Sequence, residues 1–311
     1  MIEIRDLVKV YGTKKAVNGI SFTVEDGEVL GFLGPNGAGK STTMNIITGY
    51  LSSTSGSVKV NGYDILENPE EAKKCIGYLP ELPPLYLDMT VLEYLNFICD
   101  LKKVPKADRK VQLAKILSMV KITDVAERLI GNLSKGYKQR VGIAQALVGN
   151  PDILILDEPT VGLDPNQIRE IRKLIRLLAK NHTVIISSHI LPEIQAVCDR
   201  VVIINNGKVA AIDTINDLSK RLSDSNKLLL AFKGDVQLVV NTIRTIPGIA
   251  DVFVRDVEET DVHQIEINVV NNSDVRTAIF YTMANINCPI LEMRSLDASL
   301  EEVFLSITSG M

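Results

Sequence analysis

The sequence predicts an α/β fold in two parts. The first part is a parallel sheet with an antiparallel β layer and a helical segment; the second is a smaller α+β unit. Three observations carry this. The apolar run 28–33 leads through a glycine-rich loop into a helix at 42–48. The apolar runs 153–156 and 184–187 flank a helix at 166–180, whose Ile168, Ile171, Leu174, Ile175 and Leu178 share one face. Strand, helix and strand in that order imply parallel pairing. From 227 to 295 the elements read β-α-β-β-α-β, the ferredoxin-like order. A length of 311 residues suits two domains.

In chain order, 2–7, 21–24 and 57–60 read as short strands. Gly12, Asn18-Gly19, Asp26-Gly27, Ser55-Gly56 and Asn61-Gly62 punctuate them. They form the antiparallel layer. The stretch 90–130 turns helical, with Val91, Leu92, Leu95 and Ile98, then Leu113, Ile116, Leu117 and Val120, at helical spacing. Leu133-Ser134 opens another helix that runs to about Gly149. After 184–187 come strands 200–204 and 208–212, joined by the turn Asn206-Gly207. Residues 213–226 are polar and charged and read as a helical connection. Beyond it lie strand 227–232, helix 236–246, strands 249–257 and 265–270, helix 274–286 and strand 290–295. A last helix is expected at 299–308.

Composition excludes several functions. A net charge of −4 leaves no basic footprint, so no nucleic-acid partner is expected. Cys75, Cys99, Cys198 and Cys288 are scattered without a C-x-x-C pair. Neither a zinc site nor a redox couple is indicated; buried free thiols in a reducing cytosol are expected. No leader pattern and no apolar stretch of bilayer length are present, so the chain reads as soluble or peripheral.

The chemistry is concentrated in a few segments. Gly34-Pro35-Asn36-Gly37-Ala38-Gly39-Lys40-Ser41 fits G-x-x-x-x-G-K-[ST], between a strand and a helix. Its glycines let backbone N–H groups face a phosphate chain, and the helix aims its positive end at the same place. Lys40 can reach the terminal phosphates and the Ser41 hydroxyl can ligate Mg²⁺. The strand 153–156 ends in Asp157-Glu158-Pro159. Asp157 is placed to hold Mg²⁺ near Ser41, and Glu158 to orient or deprotonate an attacking water. Leu133-Ser134-Lys135-Gly136-Tyr137-Lys138-Gln139-Arg140 opens a helix with Ser134 as cap and hydroxyl donor. Taken alone it reads equally as an ordinary N-cap or as an anion site; as an anion site, it makes sense if it serves the nucleotide of a neighbouring subunit.

In this order the motifs resemble those of the ATP-binding subunit of an ABC transporter, over residues 1–215. Tyr11 resembles the aromatic that stacks on adenine, and Val17 the apolar residue lining the base. Gly34, Pro35, Asn36, Gly37, Ala38, Gly39, Lys40, Ser41 and Thr42 resemble the Walker A loop. Residues 133–139 resemble the signature segment, with Lys135 and Tyr137 departing from the commonest LSGGQ form. Residues 153–158 resemble Walker B, Gly162-Leu163-Asp164 the D-loop, and His189 the switch histidine. At the Q-loop, where the family usually has glutamine, this chain has Glu81, a carboxylate that can still ligate Mg²⁺ or hold the water. The segments 81–86 and 90–95 resemble the subfamily serving ABC-2 type exporters: drug, antibiotic-immunity, sodium and gliding-related systems.

The resemblance implies a RecA-like parallel sheet core in 1–215, an antiparallel β subdomain, a helical subdomain at about 85–150, a connection at 216–226 and an accessory domain at 227–311. It implies ATP and Mg²⁺ as cofactors, with Ser41, Glu81 and Asp157 on the metal and Lys40, Glu158 and His189 in hydrolysis. It implies a head-to-tail dimer in which Ser134, Gly136 and Asp164 serve the ATP of the second copy. A separate membrane permease would dock near 82–101, from Leu82 to Leu101, with Leu85 and Tyr86 exposed, at the cytoplasmic face of the cell membrane. His182 and His263 lack motifs and read as hydrogen-bonded structural histidines. Two other readings remain beside this one: a soluble ABC-type ATPase acting on ribosomes or DNA, and a ligand-sensing role for the C-terminal unit.

Overall fold

The computed structural model describes residues 1–215, 217, 227–255, 262–270 and 273–295. They fall into two units, one holding Met1–Ile215 and the other lying within Asn216–Ser306.

The first unit runs β1 (Ile2–Tyr11), β2 (Lys14–Val24), β3 (Val29–Leu33), α1 (Lys40–Ile47), β4 (Ser55–Val60), β5 (Tyr63–Asp64), α2 (Pro69–Lys74), β6 (Ile76–Leu79), α3 (Val91–Leu101), α4 (Lys106–Met119), α5 (Lys135–Leu147), β7 (Ile153–Asp157), α6 (Pro165–Leu178), β8 (Thr183–Ser188), α7 (Leu191–Gln195), β9 (Arg200–Asn205) and β10 (Lys208–Thr214). Its main sheet has six strands in the order β10-β9-β3-β8-β7-β6. β9, β3, β8, β7 and β6 pair in parallel, and β10 closes the edge antiparallel. Every residue of β3, β7 and β8 is buried. Strands covered on both faces carry continuous apolar runs, which is what made them legible. A second sheet, β2-β1-β4-β5, is antiparallel. Its Ile2, Ile4, Val24 and Val60 share one core with Leu30, Phe32, Met44, Ile153 and Val202 from the main sheet and α1.

Local chemistry fixes the helix starts. Thr90 and Glu93 form a reciprocal capping box at α3. Asp164 caps α6, accepting from Asn166 N at 2.9 Å and Gln167 N at 3.0 Å, with Pro165 following. α5 lies on β6 because Gly77 has no side chain: a β-carbon there would sit 2.2 Å from the Ala146 carbonyl oxygen. Lys102 ties down the far end of α5, donating to Val148 O at 2.7 Å and Ala146 O at 3.3 Å. Withdrawal of that ammonium from water holds its pKa down to about 8. Gly77→Ala should therefore destabilise this unit by about 2–3 kcal/mol through overpacking against backbone. A denaturant midpoint equal to wild type would show instead that α5 gives way without cost.

Some expectations need correction. Asp213 and Thr214 belong to β10 rather than to a helical connection; most of the rest of 216–226 and the helix expected at 299–308 lie outside the described residues. The 90–130 stretch is two α-helices followed by 3-10 turns. Cys99, Cys198 and Cys288 are buried, whereas Cys75 is only half-buried.

The second unit runs β11 (Lys227–Phe232), α8 (Val236–Ile243), β12 (Ile249–Arg255), β13 (His263–Val269), α9 (Arg276–Asn285) and β14 (Ile290–Ser295). Its antiparallel sheet has the order β12-β13-β11-β14, the ferredoxin-like topology. Leu230, Phe232, Ile265 and Ile267 pack beneath Val239, Ile243, Ile279 and Met283 of the two helices.

Candidate nucleotide site

The loop between β3 and α1 takes its shape from close approaches that only glycine permits. A β-carbon at Gly34 would lie 2.4 Å from the Ile204 carbonyl oxygen; one at Gly39, whose φ is +108°, would lie 2.5 Å from that of Ala16. Gly39 caps α1 without a side-chain bond, so the first N–H groups of the helix are not used by a cap side chain. Lys40 is buried, its ammonium donating to Gly34 O at 2.7 Å and Pro35 O at 3.3 Å. Burial lowers its pKa, against the opposing pull of Glu158, Asp157 and Glu81.

The parallel register Asp157↔Ser187 brings the ends of β7 and β8 level with this loop. Asp157 accepts from the Ser187 hydroxyl. Burial pushes the Asp157 pKa up; Ser187 pulls it down, Glu81 raises it again, and Lys40 and the Ser41 hydroxyl lower it. Glu158 adopts φ +48°, a left-handed backbone that non-glycine residues rarely take. Its N–H is held by Ser187 O at 3.1 Å and Ser187 Oγ at 3.3 Å. This turn swings the carboxylate out of the strand's alternation. Glu158 Oε1 meets His189 Nδ1 at 2.9 Å, and Oε2 is buried without a partner among the described residues. Burial raises the Glu158 pKa despite the histidine's hydrogen bond and charge.

Lys40, Glu158 and His189 line a cavity of about 440 Å³ together with Tyr11, Ser41 and Glu81, whereas the buried Asp157 is not on its wall. Asn36, Gly37, Gly39 and Thr42 line it as well. Val17 does not: it is buried in the core, and Ala16 takes the wall position. Lys9 pairs with Val17 but Val10 pairs with Lys15, so Ala16 sits in a β-bulge that re-aims its side chain. Sequence reading gave no role to Ser187, although the Ser-Ser-His run contained it, and overlooked Lys14 and Val161 on the cavity wall.

Ser134, Gly136 and Asp164 do not reach this cavity; Gly136 lines a separate pocket, of about 260 Å³, with Leu163 and Gln167. Ser134 caps α5, accepting from Tyr137 N at 3.5 Å. A β-carbon at Gly136 would come within 2.7 Å of the Gln167 amide, the movable end of a long side chain. His182 is buried and pairs its Nδ1 with Pro151 O at 2.7 Å, a structural role.

A third cavity, of about 790 Å³, opens beside α3, walled by Tyr78, Pro84, Ile98, Leu101 and Gln145, with Leu82 and Tyr50 on its rim. Leu82 is 84% exposed and Tyr86 50%; Leu85, expected to be exposed, is half-buried. Tyr86 packs on Tyr94 and Phe97.

Comparison with known proteins agrees with these features. The family model described as ABC transporter matches residues 17–161. The linearmycin resistance ATP-binding protein LnrL of Bacillus subtilis is 35% identical over 99% of this chain and 98% of its own length. The bacitracin transport ATP-binding protein BcrA of Bacillus licheniformis is 34% identical over 100% of this chain and 98% of its own. Among solved structures, an ATP-binding subunit of an ABC transporter matches with a TM-score of 0.65 at 32% identity, covering 71% of this chain and 92% of that one. A dimeric cassette in a post-hydrolysis state, bound to ADP and Pi, matches with a TM-score of 0.63 at 26% identity, covering 69% of this chain and 99% of that one.

Proposed function

The chain belongs to the ATP-binding proteins of ABC transporters and is an ATPase, and from that premise we propose that it dimerises on ATP and drives a separate membrane exporter of the ABC-2 type. The observation that carries the reading is the Glu158–His189 pair opening onto the cavity that holds Lys40 and Ser41.

The residues fit a divalent cation. Asp157 and Glu81 are oxygen donors near one buried lysine, close enough that Glu81 acts on Asp157, and hard oxygen donors of this kind suit a divalent cation. Ser41, Asp157 and Glu81 would hold Mg²⁺, which when bound offsets charge on the phosphates. Lys40, fixed by loop carbonyls, presents its ammonium to the terminal phosphates. Glu158, on the cavity wall, is placed to align or deprotonate the attacking water. His189 holds one of its oxygens, so the carboxylate cannot rotate away. Positioned donors of this kind supply most of the catalysis in phosphoryl transfer.

Ser134 and Gly136 would cap the γ-phosphate of a second copy, with Asp164 beside them, because they lie outside their own chain's cavity. The dimeric cassette bound to ADP and Pi supports that arrangement. With Glu158 changed to Gln and saturating Mg-ATP, light scattering should read twice the monomer mass. A monomer, alone and beside its membrane partner, would overturn the reading.

The two Bacillus relatives, one for linearmycin resistance and one for bacitracin transport, support export. No helix among the described residues is long and apolar enough to cross a membrane. As the ATP-binding partner of such an exporter, the chain would sit at the cytoplasmic face through a permease, docked in the cleft rimmed by Leu82 and Tyr50. Leu101, 62% exposed on that cleft, gives a test. Leu101→Glu should cut co-purification with the permease at least about tenfold, since a buried unpaired charge costs more than 1.4 kcal/mol. ATPase of the isolated chain should stay near wild type; unchanged co-purification would place docking elsewhere.

A further inference from the structure

The chain departs from the commonest family pattern at two charged positions, Glu81 and Lys135. Glu81 lies on the cavity wall and is exposed. It has no hydrogen bond or ion pair among the described residues, yet it is close enough to act on Lys40 and Asp157. It therefore adds negative charge where a triphosphate is to be bound.

Lys135 is the first residue of α5, directly after the Ser134 cap. Its ammonium lies against the backbone of Gly162, where a β-carbon would come within 1.9 Å of Nζ. Gly162 belongs to the segment that leads from Glu158 to the α6 cap. Lys135 also has no hydrogen bond or ion pair among the described residues. A cation in the first turn opposes the helix dipole, so Lys135 does nothing for the stability of its own helix. It is exposed beside Ser134, on the surface that would meet the second copy's triphosphate.

We infer that Lys135 of one copy offsets Glu81 of the other across the ATP-bound interface, so that the two departures form one compensating pair. This rests on the head-to-tail dimer proposed above. Lys135 is then a positioning residue: it balances the carboxylate so that ATP can close the two copies. The net effect is to restore the charge that glutamine and glycine would give at the two positions.

The test is a double-substitution cycle in the full chain with Glu158→Gln, reading the Mg-ATP concentration at half-dimerisation. K135Q should raise that concentration about tenfold. Adding E81Q, which removes the charge but keeps a side-chain oxygen for Mg²⁺, should bring it back to within about twofold of the parent, as coupled sites require. The K135Q penalty should shrink as salt rises, and K135R should restore most of the affinity for closure. The melting temperature of the ATP-free chain should not fall in K135Q. Additive effects of K135Q and E81Q, or a salt-independent loss, would overturn the pair and leave Lys135 acting on phosphate or on Gly162. A parent that stays monomeric in Mg-ATP would remove the dimer and the pair together; a parent that dimerises with additive substitutions would remove the pair alone.

Discussion

Glu158→Gln should reduce ATP turnover by at least about a hundredfold, the low end of what a positioned general base contributes. The amide keeps the size of the side chain and can still meet His189, so the cavity should stay intact and ATP should still bind. The substitution also removes a buried charge. Because folding raises the Glu158 pKa, the ionised form costs stability above its solution pKa. The variant should therefore melt slightly higher than wild type at neutral pH. In the wild type, the same raised pKa means that turnover falls as pH drops, beginning above the range of an ordinary glutamate. A single-turnover phosphate-release assay across pH checks the turnover, and a thermal melt at neutral pH checks the stability. Full hydrolysis by the amide variant would remove Glu158 from the base role.

Lys40→Ala is the second large effect. It deletes a charge-assisted contact to the phosphates, typically about 2–3 kcal/mol, which corresponds to roughly 30- to 150-fold in ATP affinity. It also leaves the Gly34 and Pro35 carbonyls without their donor. Asp157 and Glu158 lose the cation that lowers their pKa values, so both should titrate higher still. Any residual activity should thus show its acidic limb moved to higher pH. Arginine should not substitute well, because its planar fork does not fit a seat between two backbone carbonyls. Calorimetric titration with Mg-ATP reads the affinity; an unchanged value would set the phosphate-loop reading aside.

What could be read in advance follows a physical divide. The phosphate loop was legible because its function is local: glycines, lysine and serine act within eight consecutive residues. Buried parallel strands were legible because covering both faces demands unbroken apolar runs. The Glu158–His189 contact spans 31 positions and depends on the register of β7 against β8, which no spacing encodes. The left-handed turn at Glu158 was equally hidden, as was the bulge that puts Ala16 in place of Val17 on the cavity wall. Leu85 was misjudged because an apolar run near a surface does not say which of its members turns inward.

α5 is capped by Ser134 and ends where Lys102 grips its last carbonyls, beside the cleft lined by Leu101 and Gln145. At 1.5 Å per residue, its 13 residues make a rod of about 20 Å. Gly77 lets that rod lie close against β6. A push at its tip cannot be absorbed along its length; it reappears at its heel. Phosphate gripped at one end and a membrane protein seated at the other would thus feel each other mechanically, through one inflexible strut.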